Sequence, residues 1–380
     1  MLDWISLTMT GLLAKRFTVL RLLWNNVVAR PIRSTLSIIA IALQIVLVLL
    51  IVGMTSGVLA DWGKRVEGVG ADLLIQPPNS SIFFGATSAV MPASIGPRLT
   101  RVEGVERVAP VFILMDLASF GVVYGIDYQS FSTLGTGFQF VEGGPFEGPD
   151  EIIADDLVAR AKHLHLGQRV TLASREYTLR GIVWHGKGAR FYIPLKTAQD
   201  VAGAEDRISL FYVRSNGDTE GVRARIVKLL PGHRIRSVSE YMSLMSSSNL
   251  PELQPFLRCM VALGVAISFL VVLLNMHTMV LERTREIGIL KALGTSRTGI
   301  IGMFVGETLL LAALGILFGL AATKVICLAL GKAAPTLAIL ISSSWIFRAA
   351  LLAVAGSVLG ALYPALRASG FDPIDALACE

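Results

Sequence analysis

Four stretches of this chain lose almost all of their polar positions: residues 36–58, 256–280, 300–328 and 345–366. Each reaches the roughly 20 apolar residues that an α-helix needs to cross a hydrocarbon core, and the third is long enough to tilt. They predict four transmembrane helices. Between the first two the pattern changes to short β-type runs and isolated amphipathic segments, the mixture that makes an α+β domain. Strands are predicted at 72–76, 108–112, 120–126, 169–173, 177–183, 191–194 and 208–214, and helices at 155–164, 195–201 and 219–230. The fold class that follows is a membrane protein of four transmembrane helices, with a large α+β extracytoplasmic domain inserted between the first and second.

The boundaries read as an amphipathic segment over 1–34, helix one over 35–59, the inserted domain over 60–252 and helix two over 253–281. A cytoplasmic helix over 282–298, helix three over 299–329, a loop over 330–344, helix four over 345–366 and a tail over 367–380 complete the chain. With 53% hydrophobic and 16% charged residues among 380, the composition excludes an ordinary soluble protein. The formal charge of +6 does not gather into an aromatic-interleaved basic patch, so nucleic acid is not an expected partner. Instead Lys15, Arg16, Arg21, Arg30 and Arg33 precede the first span, and Arg283, Arg285, Lys291 and Arg297 separate the second from the third. By the positive-inside rule both segments are cytoplasmic, which places both termini there and the insert outside.

Residues 1–14 lack a basic n-region and a small-residue cleavage site, so they are expected to be retained. Apolar residues at helical spacing over 17–33 suit an interfacial helix kinked at Pro31, and the same pattern fits a plain basic anchor. Cys259 and Cys327 fall in spans and Cys379 at the end, which leaves no disulfide framework and no thiolate metal site.

The most informative run is 281–294, where charge alternates with an apolar stripe directly behind a span. On a helix Glu282 and Glu286 stand four apart, as do Ile289 and Leu293, with Ile287, Leu290 and Gly294 at spacings of three and four. Such a helix can neither insert nor dissolve away and is suited to docking a soluble partner. Gly294 is positioned to end it as a C′ glycine.

Other candidates carry less. The segment 181–188, Gly-Ile-Val-Trp-His-Gly-Lys-Gly, approaches a Walker A loop but lacks the final Ser or Thr and a following helix, and is read as a β-hairpin turn. His163 and His165 point to different faces of a helix end with no completing ligands. The serines at 246–248 sit in no nucleophile elbow. Residues 73–97 are free of charge and include Ile82, Phe83, Phe84 and Met91, which could meet a substrate, a lipid or a partner, or fold onto their own domain. Glu307 is the one acid well inside a span, where ionisable residues are costly. It is either functional or reaches the cytoplasmic edge to pair with Arg297 or Lys291, and Asn275 and His277 are the nearest candidates for catalytic partners. Gly302, Gly306, Gly315, Gly319, Gly356 and Gly360 provide the small-residue spacing that lets helices approach closely.

The run 282–294, Glu-Arg-Thr-Arg-Glu-Ile-Gly-Ile-Leu-Lys-Ala-Leu-Gly, resembles the coupling segment of MacB-like/FtsX-like (type VII) ABC transporter permeases. The closing Tyr-Pro-Ala-Leu-Arg-Ala at 363–368 and Asp-Pro-Ile-Asp-Ala-Leu at 372–377 are similar to that family's ending, with Asp375 where Glu is usual, and 104–110 and 191–199 are similar to segments of its outer domain. The resemblance implies a homodimeric permease in the bacterial inner membrane, bound to a dimer of separate ABC ATPase subunits that hold the ATP and Mg, with no cofactor or catalytic site on this chain. Its contact with the ATPase would use Glu282, Arg283, Arg285, Glu286, Ile287, Ile289, Leu290, Leu293 and Gly294, with 372–377 beside them. Membrane lipid and, in some members, a periplasmic membrane-fusion or adaptor protein are further partners. The implied function is export or extraction of a lipid, lipoprotein, peptide or drug by mechanotransmission, and the alternative is an FtsX-like signalling scaffold that activates an outer partner without transport.

Overall fold

The computed structural model describes residues 31–80, 89–116, 121–245 and 254–370. The expected interfacial helix before Pro31, the apolar residues Ile82, Phe83 and Phe84, and the closing motif at 372–377 lie outside them. Two units make up the chain, one of Met1–Thr55, Glu252–Ala329 and Ile339–Glu380, the other of Ser56–Pro251 and Leu330–Ala338.

Four helices are long and apolar enough to cross a membrane. They are α1 (Pro31–Gly68), α8 (Gln254–Glu282), α10 (Arg297–Ala333) and α11 (Ser343–Gly370). α1 outruns its predicted end at 59, because its 38 residues at ~1.5 Å each make a rod of about 57 Å, well beyond a hydrocarbon core of ~30 Å. Its turns from Ser56 onward are built into the second unit.

Within the first unit the core is a seam of Ile41, Ile45 and Leu49 on α1, Val272 and Met276 on α8, Phe304 and Leu311 on α10, and Ala353, Ala361 and Ala365 on α11. Lipid tails are as apolar as these side chains, so close fit rather than water exclusion must hold the helices together. The glycines provide that fit. A Cβ on Gly315 would stand 2.7 Å from Ile41 Cβ, one on Gly319 3.0 Å from the Ala42 carbonyl, and one on Gly360 2.8 Å from the Phe269 carbonyl. Gly302, which shares the spacing, faces open space.

The second unit is built on a ten-stranded mixed sheet. In chain order its elements are β1 (Leu73–Gln76), β2 (Met91–Pro92), α2 (Gly96–Leu99), β3 (Val105–Asp116), β4 (Gly121–Ile126), α3 (Tyr128–Ser132), β5 (Phe140–Gly143) and β6 (Glu151–Asp155). There follow α4 (Asp156–Lys162), β7 (Arg169–Leu172), β8 (Arg175–Val183), β9 (Phe191–Pro194), α5 (Leu195–Ala202), β10 (Arg207–Ile208), β11 (Leu210–Ser215), α6 (Thr219–Leu229), β12 (Arg234–Ser237) and α7 (Val238–Leu244). The order across the sheet is β12-β1-β11-β3-β4-β9-β6-β8-β5, with β7 on β8, while β2 and β10 form a separate pair. β4 with β9 and β6 with β8 are parallel; the other pairs are antiparallel.

Two expectations are corrected here. β6 lies between β8 and β9, so residues 184–190 form a crossing connection and not a hairpin turn. Met91 is buried, pairs with Ile208 across β2 and β10, and fills a core with Leu99, Phe211 and Val213, so it offers nothing to a substrate or partner. The missed strands have physical reasons. β5 is an exposed edge and β12 alternates Arg with Ile and Ser, the charged pattern that protects an edge from pairing further. β6 is too short for its apolar run to show a period. α4 begins one residue late because the Asp155 carboxylate caps it, accepting from the Val158 N–H at 2.7 Å.

Aromatic residues fill the middle of this unit. Tyr124, Tyr192, Tyr212 and Tyr241 are among its largest fully buried side chains, and Phe138 meets Tyr192 edge-on at 4.9 Å between ring centres. Burial pushes the Tyr124 hydroxyl up to about 12 against the pull of its bond to Tyr212 and of Arg65, and holds Tyr192, Tyr212 and Tyr241 above the ordinary value as well.

Gly315→Val should lower the stability of the detergent-solubilised protein by about 1–3 kcal/mol through overpacking, while Gly302→Ala leaves it unchanged or higher; paired thermal melts decide this. An alkaline titration followed at 295 nm tests the tyrosine core. A raised folded-state pKa stabilises the fold fully below the ordinary value of about 10 and is lost as pH climbs through the folded value. The buried tyrosines should therefore ionise later than the exposed ones and together with loss of structure.

Candidate coupling site

α8 stops at Glu282, and the chain turns at Arg283, whose φ of −105° and ψ of 12° fall outside the helix, before α9 (Thr284–Ala292) begins. The turn is held by a buried ion pair. Arg283 is 6% exposed and Glu307, on α10, is 0% exposed, and an Nη of the first lies 3.6 Å from a carboxylate oxygen of the second. The Arg283 Nε is also 3.6 Å from Glu286, which is largely solvated. Glu307 thus has a partner that neither Arg297 nor Lys291 supplies. Lys291 instead donates to the Ser369 carbonyl at 3.0 Å, which ties α9 to the end of α11, and Arg297 is exposed. Asn275 donates to Ser37 Oγ at 2.6 Å across α8 and α1, and close by Glu282 forms an ion pair with Arg33 of α1.

The far end of α9 closes as a Schellman motif: the Gly294 N–H donates to the Lys291 carbonyl at 2.9 Å and the Thr295 N–H to the Leu290 carbonyl at 3.0 Å. Gly294 needs its φ of +91° for this, which a side chain would strain. Ser296 then caps α10, accepting from the Gly299 N–H at 3.2 Å. The predicted helix over 282–298 is therefore a nine-residue helix that starts without a side-chain cap and ends in the Schellman closure.

The predicted contact residues divide. Arg283 and Ile287 face inward, Ile287 in the same core as Ile300 and Phe304, so these two are removed from the predicted surface. Leu290 is half-buried. Glu282, Arg285, Glu286, Ile289, Leu293 and Gly294 are exposed, with Leu293 at 79% and Ile289 at 45%. Large apolar side chains thus stand among charges on one short helix whose opposite face is anchored.

A second polar node, which the sequence reading missed, lies in the second unit. Arg190 reaches Asp155 at 3.1 Å, Asp61 on α1 at 3.2 Å and the Thr336 carbonyl at 2.8 Å, and Arg65 joins Asp61 at 3.1 Å. Burial pushes the Asp155 carboxyl above the usual range, and the Val158 N–H, Arg190 and Arg65 pull it back only in part. The crossing connection packs here too. The Gly188 N–H donates to the Arg65 carbonyl at 2.7 Å, and Gly188, at φ +49°, leaves no room for a Cβ, which would stand 2.6 Å from the Tyr124 ring. A Cβ on Gly68 would likewise meet the Gly186 carbonyl at 1.9 Å. Asp61 and Arg65 stand four apart, a hint of a helix beyond the membrane, but nothing local in the sequence points to Arg190.

His163 and His165 are exposed after α4, and no group of three or more possible metal ligands occurs among the described residues.

Two family descriptions match the chain: FtsX-like permease C-terminal over 258–373 and MacB-like periplasmic core domain over 34–229. Among curated relatives, the macrolide export ATP-binding/permease protein MacB of Campylobacter jejuni is 20% identical over 98% of this chain and 63% of its own length. The MacB of Bdellovibrio bacteriovorus is 31% identical over 34% of the chain and 20% of its own length. An uncharacterized ABC transporter permease, YvrN of Bacillus subtilis, is 36% identical over 27% of the chain and 24% of its own length. The chain thus spans less than two thirds of these relatives. Solved structures similar to it include the periplasmic region of MacB from Actinobacillus actinomycetemcomitans, at 17% identity and a TM-score of 0.36 over 46% of this chain and 93% of that one. The extracellular domain of the transporter YknZ from Gram-positive bacteria has 16% identity and a TM-score of 0.35 over 44% and 98%.

Removing one member of a buried ion pair leaves the other uncompensated at a cost of about 3–5 kcal/mol. Arg283→Met and Glu307→Leu should each destabilise the protein on that scale, while the double variant loses clearly less than the sum. A double-mutant cycle of unfolding in detergent measures the coupling.

Proposed function

The chain belongs to the MacB-like/FtsX-like ABC transporter permease family, and we propose that it is the force-transmitting membrane subunit of such a transporter. In this reading it works as a homodimer in the bacterial inner membrane with both termini in the cytoplasm. α9 docks on a dimer of separate ABC ATPase subunits, which bind ATP and Mg and carry the hydrolysis. Closure of the ATPase pair pushes α9, the spans tilt, and the outer domains change their spacing, so that a substrate already on the outer side is expelled or extracted.

One observation carries the reading: Ile289 and Leu293 stand exposed among Arg285 and Glu286 while Arg283 and Ile287 anchor the other face. An isolated nine-residue helix is marginal in water. This one is supported by its ion pair, its apolar anchor and its C-cap, so a push on its outer face is passed to α8 and α10 instead of unwinding it. The exposed residues combine apolar anchors with a polar rim, the composition of a protein interface. Arg283 acts by positioning, and the ATPase contact reduces to Glu282, Arg285, Glu286, Ile289, Leu293 and Gly294. At the other end of α1, the Asp61, Arg190 and Asp155 node supports transmission, because it fastens the last turns of that rod to the strands of its own unit.

Leu293→Asp, and separately the charge reversal Arg285→Glu with Glu286→Arg, should weaken capture of the cognate ATPase by about tenfold or more, as expected when a side chain whose burial contributes about 1.5–3 kcal/mol is lost. The melting temperature of the permease alone should not move in Leu293→Asp, and should fall slightly in the reversal, which sets a cation beside Arg283. Unaltered capture together with unaltered substrate-stimulated ATP hydrolysis would falsify the assignment.

A further inference from the structure

In the first unit α8 and α11 run parallel, with Gly356 beside Val265 and Gly360 beside Phe269. The contact is tight at Gly360, where a Cβ would stand 2.8 Å from the Phe269 carbonyl, and looser at Gly356, where the nearest atom would be 3.5 Å away. Toward their starts the two helices leave a lateral groove of about 810 Å³, within the ~300–1,000 Å³ range of ligand sites. Leu257, Val261 and Val265 line one wall, Leu351, Ala355 and Leu359 the other.

The same register brings two cations to its mouth. Arg258 is the fifth residue of α8 and Arg348 the sixth of α11, so both lie about 6–8 Å along their helices at ~1.5 Å per residue. Both are exposed, and the Arg348 guanidinium stacks 5.2 Å over the Trp345 ring, which also lines the groove. No carboxylate forms an ion pair with either among the described residues, and the sequence has no Asp or Glu anywhere in 254–281 or 308–371. Both helices begin at this end, so their dipoles add positive potential there. The proposed orientation puts these arginines at the end of the spans where the positive-inside rule disfavours bases.

We infer that the groove between α8 and α11 binds an anionic phospholipid, its phosphate held by Arg258 and Arg348 and an acyl chain laid along the apolar walls. The occupant must be anionic at one end and apolar for the remainder. Guanidinium groups match phosphate oxygens bidentately, and the flanking Trp suits headgroup depth. A second copy of the chain fits poorly, since a two-fold contact through this groove would set one arginine pair against the other. This inference does not rest on the transport reading and needs neither nucleotide nor ATPase.

The test places the full-length chain in phosphatidylcholine vesicles containing a minor fraction of brominated phosphatidylglycerol or, in parallel, brominated phosphatidylcholine. Trp345→Phe identifies the fluorescence that belongs to Trp345. The anionic probe should quench that signal with an apparent affinity about tenfold higher than the neutral one, the scale expected of two basic groups beside an anionic lipid. Arg258→Gln with Arg348→Gln should abolish the preference, and Arg258→Lys with Arg348→Lys should retain most of it, which separates charge from misfolding. Equal quenching by the two lipids would overturn the assignment, as would a preference that survives in the Gln variant. Cross-linking of Leu351→Cys between copies, with neither lipid quenching Trp345, would give the groove to a second copy instead. Loss of lipid preference in a variant that still captures the ATPase would leave the proposed function intact.

Discussion

A guanidinium and a carboxylate that are both shielded from water set the terms for the inner end of this protein. A buried guanidinium is costly to leave without an opposite charge, and Glu307 supplies a carboxylate to Arg283 from the neighbouring span. The pair forces the chain to turn between α8 and α9 where Arg283 can reach inward. Once that residue points in, Ile287 follows it one helical turn later, and Ile289 and Leu293 are directed outward. The exposed face of α9 is thus a consequence of the buried one. The Schellman closure at Gly294 satisfies backbone groups at the far end of α9, and the Ser296 cap starts the next span directly after it, so the short helix is held at that end without needing intrinsic helix stability.

Elsewhere in the first unit, fit replaces charge. α1 lies against α10 where Gly315 and Gly319 leave no room for a side chain, and α11 lies against α8 at Gly360. Small residues at these positions bring backbones together and send large residues such as Leu351 and Leu359 outward. The same economy opens the groove near the starts of α8 and α11, because the glycine contact holds the helices together only along part of their length.

α1 is a single helix that takes part in two different kinds of packing. Its early turns contribute Ile41 and Ile45 to the apolar seam, and its last turns contribute Asp61 and Arg65 to a polar node that includes Arg190 and the carbonyl of Thr336. Aromatic packing around Tyr124 and Tyr192 backs that node, and the glycines of the crossing connection let the backbone approach the helix end.

Much of the architecture was legible because the membrane imposes a length and a hydropathy that leave few alternatives. Four apolar runs, a change of period between the first two and the residues of the 282–294 motif were sufficient for the fold class and the family. The inward and outward faces of α9 were not, because a stripe containing Ile287, Ile289, Leu290 and Leu293 has two candidate buried sides, and only the position of Glu307 on another helix chooses between them. The strand order was hidden for a similar reason: 184–190 has the composition of a tight turn, yet β6, more than 25 residues earlier in the chain, inserts between the strands it joins. Met91 looked like a free apolar residue in a charge-free stretch until pairing with Ile208 buried it. Periodicity and composition are properties of neighbours along the chain and so determined the elements and their environment; which cation meets which anion, and which face is left for a partner, depends on residues far apart in sequence, and tertiary packing alone decided it.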